Sequence, residues 1–484
     1  MIVAVEGLGP SVCAQTLARP RLAALVAQGC RGLDTGAGGS ASAWATLVTG
    51  TSPGQHGVFA DGAVTFQAPD PAAGQRQWGV GPRRGAPFWV TTTGVPRSVI
   101  LGVPHDFPPT PARGVTQVVG AVLPGPWAVD GPAFAVGARG VAQVLEVSAV
   151  ASPRGSVLAL PVGAPSLALE PAVLEVADGQ IRQQAPASAS VALEVGGWSE
   201  PLRIDVQGPG GRQAWGWTRI WTHGLDPLTL VLQPLSADAG TPWLPLSHPT
   251  AAALELQQRV GRARTSAHYG DRAAVAAGLL PWEALEGDLL EAVDLRTEQA
   301  VWALSHWDAA LVLFGVPELA ELLGRPDRAD RGLDRIEAAL DQVAVAAPDA
   351  ELTLVSVRGL SIADELLDPG DLLGQEAALL TLGAHGAVRI RSGIPPARGV
   401  AALERLGRAL EQDARVARLE RRTDWPGARA GLAPDLRIIP ISGLGIGPEP
   451  WVEEQGVVLG VHADADGPGL AGLGSAILSR LVSE

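Results

Sequence analysis

Lysine and asparagine are both absent, so all 36 Lys-or-Arg positions are arginine. That bias reads as a GC-rich coding sequence more readily than as a mechanism. Aromatic residues make up only 4% of the chain, which leaves the core to Ala, Val and Leu. Two cysteines, Cys13 and Cys30, in 484 residues do not make a disulfide framework and fit a reducing compartment. No uncharged apolar run reaches the roughly 18 residues of a membrane helix. The opening Met1-Ile2-Val3-Ala4-Val5-Glu6 lacks a basic region and a long apolar stretch, so it reads as a first β-strand and not as a signal peptide. The net charge of −14 argues against a broad nucleic-acid surface. The expectation is a cytoplasmic protein that meets neither nucleic acid nor membrane.

What is present is a long, 46% apolar chain with 60 Gly and 40 Pro spread as punctuation between apolar segments. Its length exceeds a single core of about 250–300 residues and leaves room for an insert. Ile2–Val5 reads as a buried parallel strand, followed by a turn at Gly7, Gly9 and Pro10. A helical pattern covers Ser11–Gln28, and a second covers Ala43–Val48. Ser98–Val103 is another apolar strand. From about 116 to 242 valine alternates with polar residues, as in Val191–Val195 and Leu202–Val206, which is antiparallel β character. Helices follow near 250–262, 281–305 and 327–346, with strands at Ala309–Phe314 and Leu352–Val357 and a last helix at Val400–Asp413. The pattern predicts an α/β fold: a doubly wound, mostly parallel sheet flanked by helices, with an inserted β-rich cap domain. The expected parts are a first core segment (1–115), the cap (116–245) and a second core segment (246–484).

Open α/β sheets place their sites beyond the carboxyl ends of the strands. Glu6 sits there. Ser40 follows the Gly-rich turn ending at Gly39 and opens a helix, where backbone N–H groups favour a phosphate. A serine so placed is either a nucleophile, given something to ionise it, or simply an N-cap. His105 and Asp106 form a second pair at a strand end and are candidate substrate-binding residues with Gly39 and Ser40.

The wider pattern resembles the type I phosphodiesterase/nucleotide pyrophosphatase family of the alkaline phosphatase superfamily. The resemblance runs through Val5-Glu6-Gly7, Ser40-Ala41-Ser42-Ala43-Trp44 and Thr49-Gly50 with Pro53-Gly54 and His56-Gly57-Val58. It continues in Pro87-Phe88-Trp89, Val103-Pro104, Phe107-Pro108-Pro109 and Pro245-Leu246-Ser247-His248-Pro249. Trp307-Asp308, Ala433-Pro434-Asp435-Leu436 and Gly460-Val461-His462 complete it. It implies an alkaline-phosphatase-like core and a two-metal, zinc-type site with Ser40 in the nucleophile position. Carried over, Glu6 replaces an Asp and extends the carboxylate by one methylene, roughly 1.5 Å, against a metal–oxygen tolerance of about ±0.2 Å. His462 keeps a ligand position. Glu318 and Glu321 are carboxylates where an Asp and a His are implied. Val357-Arg358 replaces an Asp-His pair, and Arg is a permanent cation.

The reading favoured is therefore a pseudoenzyme that keeps the fold and phosphate-ester binding, with Arg358 as a phosphate clamp and no metal. The alternatives are an active phosphoric-ester hydrolase with zinc or another divalent metal on an altered site, and a non-catalytic scaffold. Other polar residues have plainer expectations. His56 hydrogen-bonds backbone, His248 packs a loop, His306 caps its helix and His385 sits in a turn. Asp464, Asp466 and the acidic stretch Asp364–Asp371 form solvated turns. Trp198, Trp215, Trp217, Trp221 and Trp243 fill the core of the insert.

Overall fold

Alternation along the first strand, β1 (Ile2–Gly7), divides the core in two. Ile2 and Ala4 pack with Trp44, Leu47, Ile100, Leu313 and Val355 on one side. Val3 and Val5 pack with Leu22, Leu25, Val293 and Ile336 on the other. The strand is buried at every position, as a strand covered on both faces must be. The structure is a computed structural model. It describes residues 1–14, 18–33, 40–58, 85–91, 97–104, 109–119, 151–152, 155–160, 172–177, 180–183, 190–208, 212–225, 228–233, 236–242, 245–262, 274–275, 278–307, 309–362, 365–382, 385–391, 393–424, 435–440, 444–446, 451–460, 473 and 476.

Among the described residues β1 lies inside a nine-stranded sheet. Its order is Ser247–His248, β4 (Val115–Val118), β3 (Ser98–Leu101), Leu311–Val316, β1, Thr353–Ile362, Gly456–Gly460 and β2 (Cys30–Leu33), with Trp451–Glu454 also pairing with Thr353–Ile362. The run from β4 to Thr353–Ile362 is parallel throughout. The strands Ser247–His248, Gly456–Gly460 and Trp451–Glu454 run antiparallel to their neighbours in that run. Helix α2 (Ser40–Thr49) covers one face, while α1 (Pro20–Gln28) and the helices Trp282–His306 and Ala329–Ala346 cover the other. This is the doubly wound, mostly parallel arrangement expected from the sequence. None of the described helices is long and apolar enough to cross a membrane.

The expected single helix over Ser11–Gln28 is broken into a 3-10 turn, Pro10–Ala14, and α1. Pro20 explains the break, because proline lacks an N–H and is accommodated only in a first turn, where it stands here. The described residues between β4 and Ser247–His248 include three antiparallel sheets, from Ala151–Ser152 to Ser236–Ala237. The excursion from the central sheet begins after Val118, since β4 itself belongs to that sheet. Within it Trp217 and Trp221 are buried, and Trp198 meets Trp221 edge to face; Trp243 lies outside the described residues.

A second excursion was not foreseen. Between Thr353–Ile362 and Trp451–Glu454 the chain builds a four-stranded antiparallel sheet in the order Ala377–Leu382, His385–Ile390, Leu436–Pro440, Val416–Arg421. Helix Pro396–Glu411 lays Leu406 and Leu410 on Val388, Leu436 and Ile438. Part of the segment expected to continue the core therefore forms its own small α/β layer.

The cysteines also depart from expectation. Cys13, in the 3-10 turn, and Cys30, at the start of β2, are joined by a disulfide across a sequence separation of 17. The pairing removes the ground on which a reducing compartment was inferred. A loop of this size is worth about 3 kcal/mol by constraint of the unfolded chain. Urea unfolding with and without reductant is expected to differ by about that amount, with no titratable thiol in the unreduced, unfolded protein. Two reactive thiols in that sample would refute the pairing.

Candidate functional site

Glu6 is the last polar residue of β1 and is fully buried. Ile2, Ala4 and Glu6 alternate onto the α2 face, so the carboxylate points at the start of that helix. Ser40 and Trp44 stand four residues apart on α2, one turn on one face. Both reach the same carboxylate oxygen. The Ser40 hydroxyl donates to Glu6 Oε2 at 2.7 Å, and the Trp44 indole N–H donates to it at 3.0 Å.

The other oxygen is held from the neighbouring strand. Between Val5, which pairs with Ser356, and Gly7, which pairs with Gly359, the register shifts by one residue. Val357 and Arg358 thus face the single residue Glu6, which is a β-bulge. Strict alternation would turn Arg358 to the face opposite Val357; the bulge brings its Nε to 2.5 Å from Glu6 Oε1. Ser356 braces the bulge by accepting from the Leu8 N–H at 3.1 Å and donating to the Arg358 carbonyl at 2.9 Å. Ser40 and Arg358 are themselves only 3% and 8% exposed, so the ion pair is dry and its members depend on one another.

The site residues read from the sequence separate into groups. Glu6, Ser40 and Arg358 come together. Glu318 lies in the turn Pro317–Leu319 and pairs instead with Arg296 of helix Trp282–His306, Nε to Oε1 at 2.7 Å, both side chains buried. Its second oxygen is buried and meets no hydrogen-bond partner among the described residues. Gly102 has φ +64°, and a Cβ there would lie 2.5 Å from the Arg296 guanidinium, so only glycine lets that cation reach the strand end. Glu321 falls in the short helix Ala320–Leu323. Gly39, His105, Asp106, His462, Asp464 and Asp466 lie outside the described residues. Sequence reading missed Trp44 as a donor and Arg296 as a partner. The four-residue spacing of Ser40 and Trp44 was the available signal for the first.

This donor set does not suit a divalent ion at Glu6. Both carboxylate oxygens are already taken, and the nearest group is a guanidinium that stays charged. Among the described residues no three or more His, Cys, Asp or Glu side chains gather into a metal-binding group.

Comparison with known proteins adds the following. No protein-family model matches the chain. No curated protein matches it either. Among solved structures, phosphonoacetate hydrolase from Sinorhizobium meliloti 1021, in complex with phosphonoformate, is similar with 10% identity and a TM-score of 0.48, covering 100% of this chain and 94% of that one. An inactive variant of murine ectonucleotide pyrophosphatase/phosphodiesterase 5, in complex with AMP, is similar with 11% identity and a TM-score of 0.31, covering 40% of this chain and 59% of that one.

Behind the site, His56 ties α2 to the turn helix α3 (Pro53–His56). Its Nδ1 accepts from the Val58 N–H at 3.1 Å, so the proton sits on Nε2 and is donated to the Thr46 hydroxyl at 3.0 Å. Thr46 in turn donates to the Ser42 carbonyl, and Ser42 donates to the Val58 carbonyl. The expected structural role of His56 is what the geometry shows. Burial lowers its pKa to about 3. Its neutral form is therefore favoured in the folded state. This contribution is whole above the ordinary value near 6.5 and is lost as pH falls from there toward 3, up to about 5 kcal/mol. His56→Gln is expected to flatten stability against pH in that window. An unchanged slope would contradict the assignment.

Proposed function

We propose that this chain binds an anionic phosphate-type ester on a phosphodiesterase-like plan and has given up two-metal hydrolysis. The observation that carries the reading is the Arg358 guanidinium, 2.5 Å from the Glu6 carboxylate at the carboxyl end of the central strand. A guanidinium matches the oxygens of a phosphoryl group and supplies positive charge without a metal. The motif resemblance over Ser40–Trp44 and Thr49–Val58 supports the ester class.

In this site Arg358, Ser40 and Trp44 are three donors that converge on one carboxylate. A ligand oxyanion needs the same donors, so it competes with Glu6. Glu6→Gln removes the competing charge and leaves Arg358 buried without its counterion, a cost of about 3–5 kcal/mol. Phosphate or an aryl phosphate ester is then expected to raise the Tm of Glu6→Gln more than that of the wild type, because a ligand that binds only the folded state stabilises it. Arg358→Gln is expected to abolish the wild-type response. Equal responses in wild type and both variants would overturn the proposal.

A second reading rests on the 2.7 Å hydrogen bond from the Ser40 hydroxyl to Glu6. In it, Ser40 Oγ bonds to phosphorus as the ester P–O bond breaks, the serine proton passes by way of the Glu6 carboxylate to the leaving oxygen, and water then cleaves the phosphoserine and restores Ser40. Metal content and turnover separate the two. The binding reading expects substoichiometric metal and no hydrolysis of an aryl phosphodiester. Near two zinc ions per chain, with turnover lost in Ser40→Ala, would replace it with the hydrolytic one.

A further inference from the structure

The chain has no cysteine besides Cys13 and Cys30, so their disulfide is its single covalent cross-link and has no further thiol of the chain to exchange with. Cys13 lies in the 3-10 turn Pro10–Ala14, which the chain enters from Glu6 by way of Gly7, Leu8 and Gly9. Cys30 opens β2, a four-residue strand at one edge of the nine-stranded sheet. Among the described residues β2 pairs on one side only, with Gly456–Gly460.

Both ends of the cross-link lead to the Arg358 bulge. From Cys13 the turn leads back to Leu8, whose N–H donates to Ser356 Oγ at 3.1 Å, and that hydroxyl donates to the Arg358 carbonyl at 2.9 Å. From Cys30 the register runs inward across the sheet: Gly32 pairs with Val457, and Val457 pairs with Ser356. Gln455, just before that strand, accepts the Gly359 N–H at 3.2 Å. A Cβ on Gly32 would stand 3.2 Å from the Gln455 side chain and 3.4 Å from the Pro10 ring, so the turn, the edge strand and Gln455 pack against one another. The disulfide therefore closes a ring of contacts around the backbone that aims Arg358 at Glu6. It also lies where a reductant can reach it. Cys13 and Cys30 are half-buried, and Ser11, Ala14 and Gln28 near them are exposed. A short edge strand and a short 3-10 turn have little else to hold them together once the bond opens.

We propose that the Cys13–Cys30 disulfide is a redox switch on the Glu6–Arg358 pair. Closed, it holds the bulge and keeps Arg358 aimed; open, it lets the turn and β2 part and the bulge relax. A dithiol reductant opens it. One thiolate of the dithiol attacks a cysteine sulfur, which forms a mixed disulfide and releases the other cysteine; the second sulfur of the dithiol then displaces the first cysteine. Two electrons pass to the cysteine pair, two protons end on its thiols, and the reductant leaves as its own disulfide. The effect on ligand binding rests on the proposed function, whereas the switch itself is read without a ligand.

The test uses the full chain, oxidised or held in excess dithiothreitol, with free thiols counted before each measurement. Hydrogen exchange followed by mass spectrometry reads the Leu8 and Gly359 amides, whose partners lie on the two paths. Reduction is expected to speed exchange in both segments about tenfold or more and to leave helix Pro396–Glu411, in the separate small layer, unchanged. Cys13→Ser/Cys30→Ser without reductant is expected to match the reduced form. Exchange that is indifferent to reduction at Leu8 and Gly359, or that rises equally in helix Pro396–Glu411, would make the disulfide a general staple and overturn the proposal. So would a bond that stays closed in the folded protein under excess dithiothreitol. In a second arm, inorganic phosphate is expected to raise the Tm of the oxidised form more than that of the reduced form, because an aimed donor is pre-organised. Equal, non-zero responses would overturn the proposal. Local loosening with no phosphate response in either form would uphold the switch and refute the proposed function instead.

Discussion

A carboxylate buried at the end of the central parallel strand must find a counterion or fail to fold charged. Glu6 meets that constraint through Arg358, and much of the local architecture follows from it. The bulge in Thr353–Ile362 exists where Arg358 must turn toward Glu6. Ser356 holds the bulge, and α2 delivers Ser40 and Trp44 to the remaining oxygen. Removing any one member strands a buried polar group, which costs more than the bond it made.

The same solution recurs one strand away. Glu318, just beyond Leu311–Val316, is neutralised by Arg296, which reaches the strand end past Gly102. Two adjacent parallel strands therefore end in an internal arginine–carboxylate pair. Each supplies from within the chain the positive charge that a bound cation supplies elsewhere. Such pairs add little net stability over apolar packing, but they fix which side chains meet. That trade suits a site whose geometry is to be held.

Much of the architecture was legible in the sequence because its signals are local. The apolar runs at Ile2–Val5, Ser98–Val103, Ala309–Phe314 and Leu352–Val357 all became strands of the central sheet, and the three long helical patterns became helices. Pro20, at the first position of α1, is the residue that marks the break in the Ser11–Gln28 pattern. The small sheet at 377–440 was missed because its strands are short and its pairing joins segments far apart in sequence, such as His385–Ile390 with Leu436–Pro440. The site was half legible. Glu6, Ser40 and Arg358 could be picked out as chemistry-bearing residues, but their mutual contact depends on a one-residue bulge that no periodicity shows. Glu318 reads from the sequence as a candidate metal ligand, and its contact with Arg296, 22 residues away, is one that no spacing shows.

The account depends most on energetic coupling between Glu6 and Arg358. A double-mutant cycle with Glu6→Gln, Arg358→Met and both together, read by urea unfolding, measures it directly. Each single variant strands its partner, whereas the double variant removes both charges at once. The account expects a coupling energy of about 2–3 kcal/mol, with the double variant more stable than the sum of the singles implies. Additive effects within about 0.5 kcal/mol would contradict it.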